Sequence, residues 1–474
     1  MRPVLAHGFG QGYDLPLPLW LYLYGAAAAV LLSFLPLALL SGKRGRPAGE
    51  YPRLDLLRVP VLRGLLGSRL VVRALRLTSV AVFGLVVAAG LFGVQGGENV
   101  APVFVWAVWW VGFSLFVAFV GNLWPVVNPW KILFGWVDGK ARRLGRGDGL
   151  WLGWVYPESL GVWPAVAFYL AFIWFENVFA DPGLPRNVAL AALLYSLVTF
   201  YGMASFGGET WLRRGEAFSV FFGLLGGFAP MEARVKNGRG RTGGAFGCAG
   251  SCPCFARAAM GDRELNLRPF GVGLGLAERA PPGGVPFVVL VLAGVTYDGL
   301  LETPIWVEVV RTTPLTQTTG LLLTWAAFLG VYLGCVWLCR VFGGERGCFR
   351  GAAAGYVLSV VPIAVAYQVA HYGTFLLVGA QKTVAGVSDP FGWGWDLLGT
   401  AALRPGYGLI GAGAVWYAQA GLIVAGHVVA VWLAHRVTTR LAPRHSVVGQ
   451  LPMLSLMVLY TVFGLWILAQ PIVE

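Results

Sequence analysis

Charge is scarce in this chain. Only 12% of its 474 residues are Asp, Glu, Lys or Arg, about half the roughly 25% of a soluble globular domain. Such a chain cannot cover a water-facing surface, which excludes a soluble enzyme and a charge-rich disordered protein. Six cysteines, unevenly placed, are too few for a disulfide framework. There is no P-loop, no H-E-x-x-H, no G-x-S-x-G and no G-x-G-x-x-G at a strand-to-helix turn. These absences argue against an ATP-driven pump and against serine-hydrolase or zincin chemistry of the usual kinds. The glycine-rich GVGLGL at 271–276 lacks the context of a nucleotide loop. The opening MRPVLAHGFGQGYDLPLPLW has no apolar core ahead of the first long run, so no cleavable leader is expected.

Apolar residues are abundant. Hydrophobic residues make up 57% of the chain and mean hydropathy is +0.69. At about 20 residues per crossing, the apolar runs predict ten spans: 17–41, 77–97, 103–122, 160–179, 187–206, 286–306, 317–340, 352–379, 411–435 and 447–470. The loops at 42–76, 123–159, 207–285, 340–351 and 436–446 carry 30 of the 35 Lys and Arg residues; Arg2, Arg186, Arg311, Lys382 and Arg404 are the other five. One missed span would scramble that alternation. The positive-inside rule puts the basic loops in the cytoplasm and both termini outside it. It also accounts for the net charge of +13 without a nucleic-acid partner; the partner is the lipid bilayer. Trp20, Trp151, Trp154, Trp306 and Trp395 fall near predicted ends, where amphipathic rings prefer the interface. The excess of Arg over Lys and the many Gly and Ala residues fit a GC-rich bacterial genome, hence a bacterial cytoplasmic membrane.

The expected fold is all-α: a polytopic helical membrane protein forming one domain over 1–474. Ten spans divide as five plus five, the arrangement of an inverted repeat, although no register of identity joins the halves. The 207–285 loop is large and basic. Within it, Ala217 to Ala229 is apolar but too short to cross, which predicts an interfacial or re-entrant helix.

Ionisable groups inside a bilayer cost about 2.5–3.5 kcal/mol on insertion scales and are functional candidates. The sixth span has only a short apolar run, Pro286 to Tyr297, and must take in Asp298 and Glu302 to cross. Four residues apart, the two carboxylates share a helix face; they read equally as an ordinary helix end. In AYQVAHYGTF of the eighth span, Tyr367, Gln368, His371 and Tyr372 make a polar stripe, with His371 at a depth similar to Asp298 and Glu302. Asp298, Glu302 and His371 are therefore the candidate catalytic set. At one level they could ligate a divalent metal or relay protons. Glu176, ending the fourth span in FENVFADP, belongs to the same side.

Toward the basic side lie Gly207-Gly208 followed by Glu209, the proline-dense NLWPVVNPWK, and His427. His427 and His435 are about 80° apart around one helix, which argues against one group held by both. Glu209 also reads as a four-residue ion pair with Arg213. Glu176, Glu209, Tyr367, Gln368 and His427 make up a candidate polar pathway. Cys248, Cys252 and Cys254, in the segment 246–256, could bind a soft metal. Their spacing is not that of a zinc-finger pair, and incidental thiols in a loop explain them as well.

Several segments, AHGFGQGYDLPLPLWLYLYG, NLWPVVNPWK, FYGMASFGGETWLRRGEAFSVFFGLLGGFAP, DGLLETP, QVAHYGTFLLVGAQ, SDPFGWGWDLLGT and GHVVAVWLAH, resemble a family of bacterial polytopic membrane proteins labelled fenitrothion hydrolase. The resemblance implies a membrane-bound hydrolase acting on a lipophilic small molecule, an organophosphate or related ester. It brings no active-site residues with it. The residues themselves leave two other readings open: a proton-coupled secondary transporter using the same acids, and a membrane subunit that anchors a partner complex through the 207–285 loop.

Overall fold

The computed structural model describes residues 18–40, 51–236, 258–277, 279–309, 313–344, 347–406, 410–441 and 446–470. Among the described residues, ten helices are long and apolar enough to cross a membrane: Leu19–Pro36, Arg69–Phe92, Val100–Phe119, Glu158–Asn177, Pro185–Phe206, Gly284–Leu301, Pro314–Gly343, Phe349–Ser388, Ala412–Leu441 and Val447–Ala469. Each overlaps one expected span. The all-α expectation stands, with one small addition at the basic end. There β1 (Leu54–Asp55), β2 (Met231–Val235) and β3 (Arg263–Leu267) form an antiparallel sheet in the order β1-β3-β2.

Backbone contacts of the connecting segments sort the two ends. Val94 and Val100 donate to the carbonyls of Phe391 and Pro390 at one end. At the other, Leu152 donates to Ala204, Val162 to Pro282 and Ala280 to Ala354. The β1–β3 pairing joins the 42–76 loop to the 207–285 loop. All of these contacts fall where an alternating ten-helix path puts them, so the loops rich in Lys and Arg share one end.

The eighth span is the hub. In its most apolar window 89% of residues are buried, against 17% in the first, second and seventh spans. Lipid is as apolar as a protein core, so spans associate by close packing rather than by hydrophobic burial. Gly426 of the ninth span shows how tight this packing is. A Cβ there would lie 2.5 Å from the Ala366 Cβ and 2.8 Å from the Pro362 carbonyl oxygen. Gly426→Ala should therefore destabilise the protein by about 1–2 kcal/mol net, overpacking outweighing the gain in helix propensity. Thermal unfolding in detergent would read this as a lowered midpoint; an unchanged or raised midpoint would contradict it.

The short apolar helix is not interfacial. Of the twelve residues of Ala217–Phe228, eleven are buried, whereas a helix lying in the interface keeps a wet face. Gly208–Arg214 climbs back along the fifth span, with Trp211 against Gly202. Glu216 then reaches Tyr195, 11 residues or roughly 16 Å from the Phe206 end of that span. From there Ala217–Phe228 descends along the third span, from Phe218 on Trp109 (4.5 Å between centroids) to Phe228 beside Phe119 (6.4 Å). The segment is a re-entrant hairpin with a carboxylate at its tip. At its foot, Arg268 bonds Glu232 at 2.9 Å and the carbonyls of Ala229 and Gly226, placing a cation at a helix C-terminus.

Candidate functional site

Asp298 and His371 meet. The His371 Nε2 lies 2.9 Å from Asp298 Oδ2 across the sixth and eighth spans, with side-chain exposures of 5% and 13%. The Gly284–Leu301 helix runs through Asp298 unbroken and ends at Glu302, whose backbone N–H closes the last turn onto the Gly299 carbonyl. Gly299 lets the two helices approach: a Cβ there would sit 2.7 Å from Ile467, 3.1 Å from the Tyr367 hydroxyl and 3.6 Å from the His371 ring.

Glu176 joins this group as expected. The Trp110 indole N–H donates to its Oε1 at 2.8 Å, and the Tyr372 hydroxyl is within hydrogen-bonding reach of both Glu176 and Asp298. Glu302 lies within electrostatic reach of His371. Tyr367 stacks on His371 with centroids 6.0 Å apart, and Tyr372 meets it edge-on at 4.6 Å. The predicted stripe on the eighth span thus delivers Tyr367, His371 and Tyr372 to one acidic cluster. Gln368 is buried and its Nε2 has no hydrogen-bond partner among the described residues.

Beyond the cluster, polar groups continue toward the basic end. Gln419 of the ninth span donates to the Ala370 carbonyl at 2.6 Å, which levels it with His371, and its Oε1 has no hydrogen-bond partner among the described residues. His427 lies eight residues further along, about 12 Å deeper. Its Nδ1 is 2.8 Å from the Ile423 carbonyl, while its Nε2 is buried without a partner among the described residues. Between the levels stand Tyr460, 6.0 Å from the His427 ring and 6.3 Å from Tyr367, and Thr296, 2.6 Å from the Tyr460 hydroxyl. The Tyr367 hydroxyl also lacks a hydrogen-bond partner among the described residues. Deeper still, His435 bonds Gln450 at 2.8 Å and ties two spans at the basic end. Unpaired buried polar atoms are costly, and internal water is the ordinary way to satisfy them.

Glu209 is not brought to the cluster. It sits in the first turn of Gly208–Arg214, within electrostatic reach of Lys131, at the opposite end of the fifth span from Glu176. Among the described residues, no three His, Cys, Asp or Glu side chains are placed to hold a metal ion. Asp298 and His371 bond each other through Oδ2 and Nε2. Cys248, Cys252 and Cys254 lie outside the described residues.

Sequence reasoning missed Trp110, Tyr169 and Glu216. Trp110 lies in a π-helical stretch, Phe104–Phe113, within a run that is apolar on every side, so no periodicity marks it. Glu216 could have been found as the lone carboxylate directly before an apolar half-span. No family model, no curated protein and no solved structure matches the chain.

Proposed function

We infer that this multi-pass membrane protein is a proton-coupled secondary transporter of the bacterial cytoplasmic membrane, with its basic loops in the cytoplasm. The observation that carries this reading is the Asp298–His371 pair, buried among ten spans with unpartnered polar atoms leading inward from it. Intramembrane acids paired with histidine are the parts of proton relays. Burying such a pair stabilises a fold weakly or not at all, so stability alone does not account for it. In this reading the breaks at Gly207-Gly208 and Pro125–Pro129 serve as gates, since irregular backbone at membrane depth belongs where it lines a path.

The test uses proteoliposomes holding a pH-sensitive dye. Lipophilic solutes are added one class at a time across a set gradient. A solute that moves protons in a protein-dependent way supports the reading. Solute flux indifferent to the pH gradient would sink it.

Orientation has its own check. Cys348 is exposed at the N-terminus of the Phe349–Tyr356 helix, where the backbone N–H groups of Gly351 and Arg350 pull its thiol below the usual cysteine range. More of it is thiolate near neutral pH than of an ordinary thiol. In a variant keeping Cys348 alone, an impermeant maleimide should label inside-out vesicles and spare right-side-out ones. The reverse pattern would invert the assigned topology.

A second reading is an intramembrane hydrolase of lipophilic organophosphate or related esters. It is favoured by the resemblance and by the Asp298–His371 bond, which could orient the imidazole as a general base toward water. Nitrophenol release from an aryl phosphotriester, lost in His371→Ala, would establish it.

A further inference from the structure

The acidic cluster is lined by aromatic rings, and some of its polar atoms are unspent. Glu176 and Asp298 lie within electrostatic reach of each other, and Glu302 lies within reach of His371 and Tyr367. Trp110, Tyr169, Tyr367 and Tyr372 surround these acids, with exposures of 2% or less. The Tyr169 hydroxyl, within electrostatic reach of Glu176 and Tyr372, has no hydrogen-bond partner among the described residues, and neither has Glu176 Oε2. The Trp110 and Tyr169 rings pack 6.2 Å apart, and Tyr169 lies 5.4 Å from Phe221. Carboxylates welcome positive charge, and π faces attract a cation that has little hydration to lose, within about 6 Å of a ring centroid. A phosphotriester is neutral and brings no positive charge to balance the carboxylates.

We propose that this site binds an organic monocation, a protonated or quaternary amine carrying an apolar body. Glu176 and Asp298 balance its charge, and Trp110, Tyr169 and Tyr372 enclose it. The inference rests on the transport reading and names its substrate class: the cation and the proton compete for the same carboxylates, which is the elementary requirement of exchange.

The test uses the full chain in detergent and two probes of nearly equal shape. Benzyltrimethylammonium is the cation; neopentylbenzene is its uncharged carbon isostere. Radiolabelled benzyltrimethylammonium should bind and be left in place by the isostere. Its uptake should release protons in weak buffer, and acidification should weaken it at least about tenfold, the factor that 1.4 kcal/mol represents. Glu176→Gln and Trp110→Leu should each weaken it by a similar factor. Because Trp110→Leu could disturb folding, Tyr169→Phe, which removes only the unpartnered hydroxyl, is the gentler companion: it should weaken binding without lowering the melting point.

Absence of cation binding, or displacement by the isostere as effective as by the cation itself, overturns the proposal. So does Glu176→Gln binding like the parent. The two levels fail separately. Asp298-dependent proton movement evoked by neutral or anionic solutes, without cation binding, keeps the transporter and rejects this substrate class. Cation binding without any cation-driven proton flux in vesicles keeps the site and rejects transport.

Discussion

Asp298→Asn lowers solute-evoked proton flux by about 100-fold or more, in the range expected when a positioned acid–base group is lost, while the protein still purifies as a folded species. Asn keeps the size of the side chain and can still bond His371, so packing around the 2.9 Å contact survives. What goes is the ability to hold a proton. Asp298→Ala is a different experiment, because it leaves His371 buried without its partner, and breaking a buried pair costs about 3–5 kcal/mol. The Asn variant therefore separates chemistry from folding. Flux is read from the internal dye and folding from size-exclusion profile and thermal midpoint. Unchanged flux in the Asn variant would remove Asp298 from the mechanism.

Glu216→Ala should destabilise the fold far more than Gly426→Ala does. Glu216 is wholly buried at the tip of the re-entrant hairpin. Its carboxylate accepts from the Phe218 and Ser219 backbone N–H groups at 2.9 and 2.8 Å, from the Tyr195 hydroxyl at 2.5 Å and from the Ser219 hydroxyl; the Asn128 amide and Trp124 indole approach at 3.4 and 3.5 Å. Removing it orphans two helix N-terminal N–H groups and several side-chain donors. Each buried orphan costs about 1–3 kcal/mol, so a loss of at least about 4 kcal/mol is expected. Glu216→Gln keeps one acceptor but turns a donor toward other donors, and should recover part of that loss. Thermal scans of the three proteins should rank parent, Gln, Ala. A parent-like midpoint for Ala would mean the hairpin is held by its apolar contacts alone.

The spans were legible because a bilayer imposes length and composition directly on sequence. The Lys and Arg count then ordered the loops, and the contacts between Val94 and Phe391 and between Ala280 and Ala354 respect that order. Asp298 and His371 stood out because a charge within an apolar helix has no other reason to be there. That they touch was not legible, since it depends on helix packing, which follows small residues such as Gly299 and Gly426 rather than a periodic signal. The hairpin was half legible. Its length excluded a crossing, but an apolar segment of twelve residues reads alike whether it lies on the membrane or inside the bundle. The three-stranded sheet escaped notice because β2 and β3 stand far apart within one loop, and β1, from another loop, has only two residues.

Proton coupling through Asp298 is tested most directly by one comparison: proton flux evoked by an imposed solute gradient in proteoliposomes, with the parent protein and Asp298→Asn reconstituted at equal density. A change of internal pH in the parent that disappears in Asn, and returns neither with time nor with more solute, is the predicted result. Equal proton flux in both would contradict proton coupling, as would Asp298-dependent release of nitrophenol from an aryl phosphotriester with no proton flux at all.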